Sequence, residues 1–258
     1  IRMYGWVGGE TYGDYIESAR VSVDAGFTAL KIGLPGAVNI VDTPANADRI
    51  VGRFAALRET VGREIDIGID FHGRVSPAAA VRLARALEPY TPMFIEEPVL
   101  PENVDALVTV ARSTTIPIAT GERLFTKWGF REVLEKQAAV ILQPDLSHAG
   151  GILEVKKIAA MAECYYAAVA PHCPLGPIAL AACLQLDACI PNFLVQEHVT
   201  TGEGYLKQPF VIQDGYINVP QRPGLGIEVD EGLLQGKLYD GTWETPRLWH
   251  SDGSVADW

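Results

Sequence analysis

The sequence predicts an α/β protein, a modified (β/α)7β barrel with a C-terminal covering segment. Short apolar runs of strand length alternate with amphipathic, helix-period segments as far as about residue 198, a pattern typical of a parallel sheet with helical crossovers. Eight such runs with seven helical segments between them favour a closed, TIM-like barrel over an open sheet. The 258 residues are sufficient, because such barrels usually take about 250.

The eight strand-like runs are spread along the first three quarters of the chain. They are Met3–Gly8, Ala29–Gly33, Asp66–His72, Met93–Pro98, Pro117–Glu122, Val140–Asp145, Ala167–His172 and Phe193–His198. Among the segments between them, Pro77–Leu87 shows the helical period clearly, since one face is formed by Ala80, Leu83, Ala84 and Leu87. An open dinucleotide-binding sheet is disfavoured, because the loop after Lys31–Gly33 lacks the GxGxxG pattern.

The C-terminal part of the chain has a different pattern. Phe210–Gln213 and Tyr216–Val219 flank an Asp214-Gly215 pair, which predicts a hairpin with a type I′ turn. The Pro/Gly-rich stretch Pro220–Gly226 and a short helix near Glu231–Leu234 follow. We therefore predict a catalytic barrel over residues 1–200 and a covering segment over 201–258, packed on the barrel rather than forming an independent domain.

Charge and composition exclude several functional classes. The net charge of −11 and the lack of a basic face disfavour nucleic-acid binding. No apolar run reaches the roughly 18–20 residues that a membrane span requires, and the start of the chain shows no signal-peptide pattern. Four cysteines lack CxxC spacing, so we expect buried thiols in a reducing, cytoplasmic compartment rather than disulfides; they are Cys164, Cys173, Cys183 and Cys189.

Ionisable residues end six of the predicted strands, at intervals of 26, 26, 23, 27 and 25 residues. They are Asp70, Glu96, Glu122, Asp145, His172 and Glu197. The carboxyl ends of parallel barrel strands face one mouth. For a single carboxylate there, a structural role in helix capping or an ion pair is as good an explanation as a functional role. The first three together would repel one another unless they share a cation, and an all-oxygen site favours Mg²⁺ over Zn²⁺.

Two histidines flank this group of carboxylates. His72 lies two residues after Asp70 and therefore faces the same mouth. Asp145 is placed to accept a hydrogen bond from His172 and to raise its basicity. We assign no chemistry to His148 and His198, which border the mouth. Nucleophilic catalysis is unsupported because no serine lies in a GxSxG elbow. Glu96 and Glu97 point to opposite faces of a strand, which disfavours a glycosidase pair.

Five motifs together resemble those of the enolase superfamily and, within it, the mandelate racemase subgroup. They are Asp70-Phe71-His72, Phe94–Pro98, Gly121-Glu122-Arg123, Gln143–Gly151 and Pro171–Pro177. The resemblance implies that Asp70, Glu96 and Glu122 bind Mg²⁺. It further implies that His172, oriented by Asp145, removes the proton α to the substrate carboxylate. His72 would protonate the departing 3-hydroxyl, and Glu197 would hydrogen-bond to the enediolate.

The activity implied by the resemblance is dehydration of a small-molecule sugar acid to a 2-keto-3-deoxy acid by a homo-oligomeric carbon–oxygen lyase. D-galactonate is the first choice of substrate, and D-gluconate or another aldonate is the alternative. A racemase or cycloisomerase on the same barrel is a second possibility. The third, from another class, is a non-catalytic barrel that binds metal or sugar acid.

Two departures from the subgroup's pattern affect these expectations. Many relatives carry a Lys-x-Lys pair after the second strand, whereas this chain has Lys31-Ile32-Gly33. The missing second lysine disfavours a two-base racemase and leaves Lys31 either supporting the site electrostatically or pairing with a carboxylate.

Relatives also have an N-terminal capping domain, while this chain starts at the barrel. We therefore expect the chain alone to bind Mg²⁺ weakly and to turn over poorly, because its mouth is open to water.

Overall fold

Seven parallel strands form one curled sheet in which each strand pairs with the next along the chain. The computed structural model describes residues 1–9, 11–237, 239–244, 247–250 and 252–257. The strands are β1 (Gly5–Trp6), β2 (Ala29–Gly33), β3 (Asp66–Asp70), β4 (Phe94–Glu96), β5 (Ile118–Thr120), β6 (Ile141–Leu142) and β7 (Ala168–Val169). This sequential order is the one that the alternation of strand and helix segments predicts.

The closing segment, residues 193–196, joins the last strand of this sheet to the first. Phe193 forms a parallel bridge with Val169 of β7, and Gln196 forms one with Met3 just before β1. The backbone N–H of Leu194 donates to the Val169 carbonyl at 2.8 Å. The sheet therefore closes into a (β/α)7β barrel, which confirms the predicted fold class. The ladders are shorter than the predicted runs because buried apolar residues continue beyond the hydrogen-bonded pairs.

Helices lie between the strands. Within the described part of the barrel they are α1 (Tyr12–Asp24), α2 (Pro44–Val61), α3 (Pro77–Leu87), α4 (Val104–Ala111), α5 (Thr126–Glu135), α6 (Leu146–Ala149), α7 (Gly151–Glu163) and α8 (Pro177–Asp187). One predicted helical segment is divided into α6 and α7 because Gly150 takes φ of 115°, which ends the first helix. The predicted apolar face of α3 is buried. None of the described helices is long and apolar enough to cross a membrane.

The interior ring is a set of seven buried side chains that come from β2, β4, β5 and β6, from the residues next to β1 and β7, and from the closing segment. It consists of Tyr4, Ala29, Phe94, Ala119, Ile141, Ala170 and Val195. β3 contributes Gly68, where a Cβ atom would lie only 2.5 Å from the Phe94 ring. The missing side chain at position 68 thus makes room for an aromatic ring in the barrel. Because strand side chains alternate, the residue two positions after each ring member points the same way, nearer the mouth.

The tail forms the predicted hairpin from β8 (Ile212–Gln213) and β9 (Tyr216–Ile217), with positive φ at both turn residues. It lies against the start of the chain, where the Met3 N–H donates to the Gly215 carbonyl at 2.9 Å. The remaining described elements are α9 (Glu231–Leu234), the 3₁₀ turn Gln235–Lys237, β10 (Leu248–Trp249) and β11 (Val255–Asp257). The division into a barrel and a covering segment stays a prediction.

All four cysteines are free, but two of them are not where we expected. Cys173 and Cys183 are buried, as predicted, whereas Cys164 and Cys189 are exposed. The expectation of four buried thiols was therefore wrong for half of them. The two exposed cysteines follow the ends of α7 and α8, where the chain turns at the surface before it enters the next strand.

Candidate active site

The strand ends place most of the predicted site residues on one face. Asp70, Glu96, His172 and Glu197 each lie two positions after Gly68 or a member of the interior ring. They therefore point into the mouth. Lys31 and Trp6 occupy the equivalent positions on β2 and β1. All of these side chains except the more deeply buried Glu96 line a cavity of about 460 Å³. Its polar wall also includes His72, Glu122 and Arg123.

Asp70, Glu96 and Glu122 form a compact carboxylate cluster. Each offers one oxygen, and the three oxygens lie within 4.8 Å of one another. Glu96 is fully buried, and its Oε2 has no hydrogen-bond partner among the described residues. Burial, followed by the nearby carboxylates, raises the pKa of Glu96 despite the opposing effect of Lys31. Three hard oxygen donors and one buried, unpartnered oxygen fit a divalent cation such as Mg²⁺.

Lys31 lies among the carboxylates with only 1% of its side chain exposed. Its Nζ is 2.5 Å from Glu96 Oε1, 3.4 Å from Glu197 Oε1 and 3.8 Å from Asp70 Oδ2. Burial alone would lower the pKa of Lys31, but these carboxylates outweigh it and raise the pKa above the ordinary value. Lys31 is therefore a charged partner of the carboxylates, the second of the two roles that the sequence left open, and its charge also bears on the electrostatics of the site.

His172 and Asp145 form a hydrogen-bonded pair at one side of the cavity. The Nδ1 atom of His172 is 2.9 Å from Asp145 Oδ2, and Asp145 Oδ1 accepts the Ser147 N–H at the start of α6. The Nε2 atom of His172 lies 3.5 Å from Glu122 Oε2. Burial lowers the pKa of His172, but the hydrogen bond to Asp145 and the nearby carboxylates outweigh it and raise the pKa. The pair gives a basic imidazole that Asp145 holds in a fixed orientation.

His72 lies on the loop that follows β3. Its backbone N–H donates to Asp70 Oδ1 at 2.7 Å, and its imidazole Nδ1 is 3.6 Å from Asp70 Oδ2. The residue has φ of 55°, in the left-handed region, so the chain turns sharply here. His72 and His172 both line the cavity that contains the carboxylate cluster, so two imidazoles face one site.

Glu197 accepts hydrogen bonds from three directions. Its Oε1 accepts from Trp6 Nε1 at 3.1 Å and from Lys31 Nζ at 3.4 Å, and its Oε2 accepts the Cys173 N–H at 2.7 Å. Burial would raise the pKa of Glu197, but Lys31 and His172 outweigh it and lower the pKa. Glu197 is thus an ionised carboxylate held by donors, beside the carboxylate cluster.

Trp6 is a site residue that the sequence analysis did not identify. The sequence analysis considered only ionisable residues at strand ends, and the indole of Trp6 is not ionisable. Trp6 could have been found from its spacing, because it lies two positions after the interior residue Tyr4. Of the two histidines expected to border the mouth, His148 lines the cavity, whereas His198 is not among the lining residues and stacks on Phe27. Glu97 accepts hydrogen bonds from Thr120 and the Gly121 N–H, away from the Glu96–Lys31 contact.

Comparison with known proteins identifies the family. Residues 14–233 match the family model described as "Enolase C-terminal domain-like". The chain belongs to this enolase family. Solved structures agree: a mandelate racemase/muconate lactonizing enzyme from Sulfitobacter sp. is 37% identical with a TM-score of 0.92, over 98% of this chain and 68% of that one. A mandelate racemase/muconate lactonizing enzyme-like protein from Roseovarius sp. TM1035 is 38% identical with a TM-score of 0.89, over 99% of this chain and 68% of that one.

Curated relatives of this enolase-family barrel carry a more specific name. The D-galactonate dehydratases of Ralstonia pickettii (strain 12J) and Variovorax paradoxus (strain S110) are 45% and 44% identical to it over 269 aligned residues. Each alignment covers 100% of this chain and 70% of the relative. The enolase-superfamily and mandelate racemase resemblance of the motifs is thereby confirmed.

Proposed function

We propose that this barrel carries the active site of a sugar-acid dehydratase, a carbon–oxygen lyase that removes water from an aldonate. The observation that carries the proposal is the pair of imidazoles, His72 and the Asp145-bound His172, lining one cavity with the carboxylate cluster. Binding alone requires neither an acid nor a base, whereas elimination of water requires both. The D-galactonate dehydratase relatives support this class and make D-galactonate the first substrate to test, before D-gluconate.

Asp70, Glu96 and Glu122 would hold Mg²⁺ in this proposal. A bound magnesium ion would neutralise the negative charge that develops on the substrate carboxylate as the adjacent C–H bond breaks. The residues present fit the ion because they supply three carboxylate oxygens within 4.8 Å of one another. Lys31 would balance part of the remaining negative charge, since its ammonium contacts both Glu96 and Glu197.

His172 is the proposed general base. Asp145 accepts the hydrogen bond at Nδ1, so the lone pair of the neutral imidazole lies at Nε2, on the side of the carboxylate cluster. Nε2 takes the proton from C2 of the substrate, next to its carboxylate. Asp145 then stabilises the imidazolium that forms. The raised pKa of His172 makes it a stronger base than an ordinary histidine.

His72 is the proposed general acid. The electron pair of the broken C2–H bond passes into the substrate carboxylate and gives an enediolate. When the enediolate collapses, this pair forms the C2–C3 double bond and the C3–O bond breaks. His72 gives its proton to the departing 3-hydroxyl, which leaves as water. The enol product then tautomerises to the 2-keto-3-deoxy acid. Glu197 is proposed to hydrogen-bond to the enediolate. Its carboxylate is ionised and held by donors in this structure, so it must carry a proton when it donates that hydrogen bond.

The test uses the complete natural polypeptide with Mg²⁺ and a panel of aldonates, assayed for 2-keto-3-deoxy products. We expect H172A to lose dehydration by about 10²–10⁴-fold, because the base is removed. H72A should lose dehydration similarly but retain solvent deuterium exchange at C2, because His172 still removes the proton. H250A in the tail is the control and should match the unmodified protein. Full activity of both site variants, or no turnover of any aldonate, contradicts the proposal.

A further inference from the structure

The turn that carries His72 has a backbone conformation that side chains disfavour. His72 and Gly73 take φ of 55° and 69°, both in the left-handed region. Glycine adopts this region freely, but a residue with a Cβ atom does so at an energetic cost. The surrounding structure must therefore hold position 72 in place, and the groups that do so determine where the imidazole points.

Between residues that the structure describes, three hydrogen bonds hold the backbone of this turn to the barrel. The N–H of His72 donates to Asp70 Oδ1 at 2.7 Å, and the N–H of Gly73 donates to the Glu97 carbonyl at 2.7 Å. On the other side, Arg123 Nη2 donates to the His72 carbonyl at 3.1 Å. The first two bonds come from β3 and the end of β4, whereas the third comes from a side chain that follows β5.

Arg123 contacts this turn and the carboxylate cluster at once. Its Nε is 3.4 Å from Glu122 Oε1, with 17% of the arginine side chain exposed. A Cβ atom at position 73 would lie 3.2 Å from Arg123 Nη1 and 2.9 Å from Leu100 Cδ2, so the guanidinium packs closely on the turn. A planar, rigid guanidinium thus joins the backbone of His72 to Glu122.

We propose that Arg123 is a positioning residue for the elimination step. By holding the His72 carbonyl against the carboxylate cluster, it directs the imidazole at the leaving hydroxyl. The inference rests on the proposed function, in which His72 is the general acid. His172 has its own support in Asp145, so loss of Arg123 affects the departure of the hydroxyl more than removal of the C2 proton.

The proposal is tested by comparing dehydration with deuterium exchange at C2 in D₂O, using the complete natural polypeptide with Mg²⁺. In R123M we expect dehydration to fall by about 10–100-fold, since a displacement of about 1 Å can cost 10²-fold. Exchange at C2 should change much less, so the ratio of exchange to dehydration rises. R123K retains a donor and should recover part of the loss. A parallel fall of both rates, or unchanged dehydration, overturns the proposal.

Two further measurements separate positioning from other effects. Mn²⁺ affinity, measured by electron paramagnetic resonance, should be similar in R123M and the unmodified protein; a loss as large as the loss of dehydration places the effect on the metal ligands and overturns the proposal. R131M, at an exposed arginine on α5 paired with Glu135, is the matched control and should leave both rates unchanged.

Amide hydrogen exchange over residues 71–74, measured without substrate, tests the contact even if no aldonate is turned over. We expect R123M to speed exchange of these amides by about tenfold or more, because the turn opens locally once it loses support. Unchanged protection overturns the inference about Arg123, while absence of turnover by the unmodified protein contradicts only the proposed function.

Discussion

Asp187 is the last residue of α8, and its carboxylate is buried. Only 4% of the residue is exposed, and neither oxygen has a hydrogen-bond partner among the described residues. Burial raises the pKa of Asp187 well above its usual value, although the N-terminal ammonium acts in the opposite direction. The folded chain therefore keeps a proton here at pH values where the unfolded chain has released it. Folding then requires proton uptake at Asp187. The free energy of unfolding therefore falls as pH rises from the unfolded pKa, about 3.9, toward the raised folded pKa.

We expect Asp187→Asn to stabilise the protein near neutral pH, by about 1.4 kcal/mol for each pH unit between the unfolded pKa and the raised folded pKa. An amide resembles the protonated carboxyl and needs no proton uptake on folding. The free energy of unfolding, measured by denaturant titration between pH 5 and 8, should exceed that of the unmodified protein increasingly as pH rises. Asp24→Asn, at the exposed last residue of α1, is the control. Destabilisation by Asp187→Asn at pH 8 contradicts the assignment.

At the scale of elements, the pairing of β3 with β4 depends on a missing side chain. Gly68 pairs in register with Phe94, and the Phe94 ring takes the space that a Cβ atom at position 68 would fill. Tight packing of this kind tolerates little added volume. Because the Phe94 ring fills the space beside Gly68, a side chain at position 68 would displace the ring or push β3 and β4 apart.

Gly68→Ala should destabilise the protein by about 1–3 kcal/mol through overpacking. Phe94→Leu in the same chain should relieve part of this cost, so a double-mutant cycle on the free energy of unfolding should show coupling. Gly33→Ala at the end of β2 is a matched control, because a Cβ atom there meets nothing within 4 Å. Strictly additive effects of the two substitutions indicate that the ring is not what excludes the side chain.

Most of the elements followed from the sequence because hydrophobic period and strand length are local properties. The division between α6 and α7 did not follow, since it depends on the φ of Gly150. The grouping of side chains in the candidate site was predictable where charge marked the strand ends, as at Asp70 and Glu122. The hydrogen bond from Arg123 to the His72 carbonyl joins residues 51 positions apart. It depends on side-chain reach in three dimensions, which spacing along a strand does not encode.

At the scale of the whole molecule, the barrel concentrates negative charge at its mouth. Asp70, Glu96, Glu122 and Glu197 converge there, with Lys31 as a buried cation among them, in a chain whose net charge is −11. Like charges at short range oppose folding unless opposite charges balance them. A divalent cation that binds only the folded barrel should therefore stabilise the entire molecule by mass action.

Mg²⁺ added to the chelator-treated protein should raise the free energy of unfolding, by about 2.7 kcal/mol at 100 times the dissociation constant. The increase should be largely lost in Glu96→Gln, because the amide oxygen of glutamine carries no charge. Glu64→Gln, at an exposed carboxylate before β3, should keep the full increase. Thermal and denaturant unfolding with and without Mg²⁺ measure these differences. An equal Mg²⁺ effect in both variants contradicts binding at the carboxylate cluster.

The two-residue offset seen along six of the barrel strands has a consequence for how such a protein changes over evolutionary time. One residue fills the interior ring, and the residue two positions later faces the mouth. Substitutions at the second position alter the chemistry presented to a substrate but leave the packed interior intact. Activity can therefore diversify among descendants of one ancestor while the scaffold that supports it stays folded.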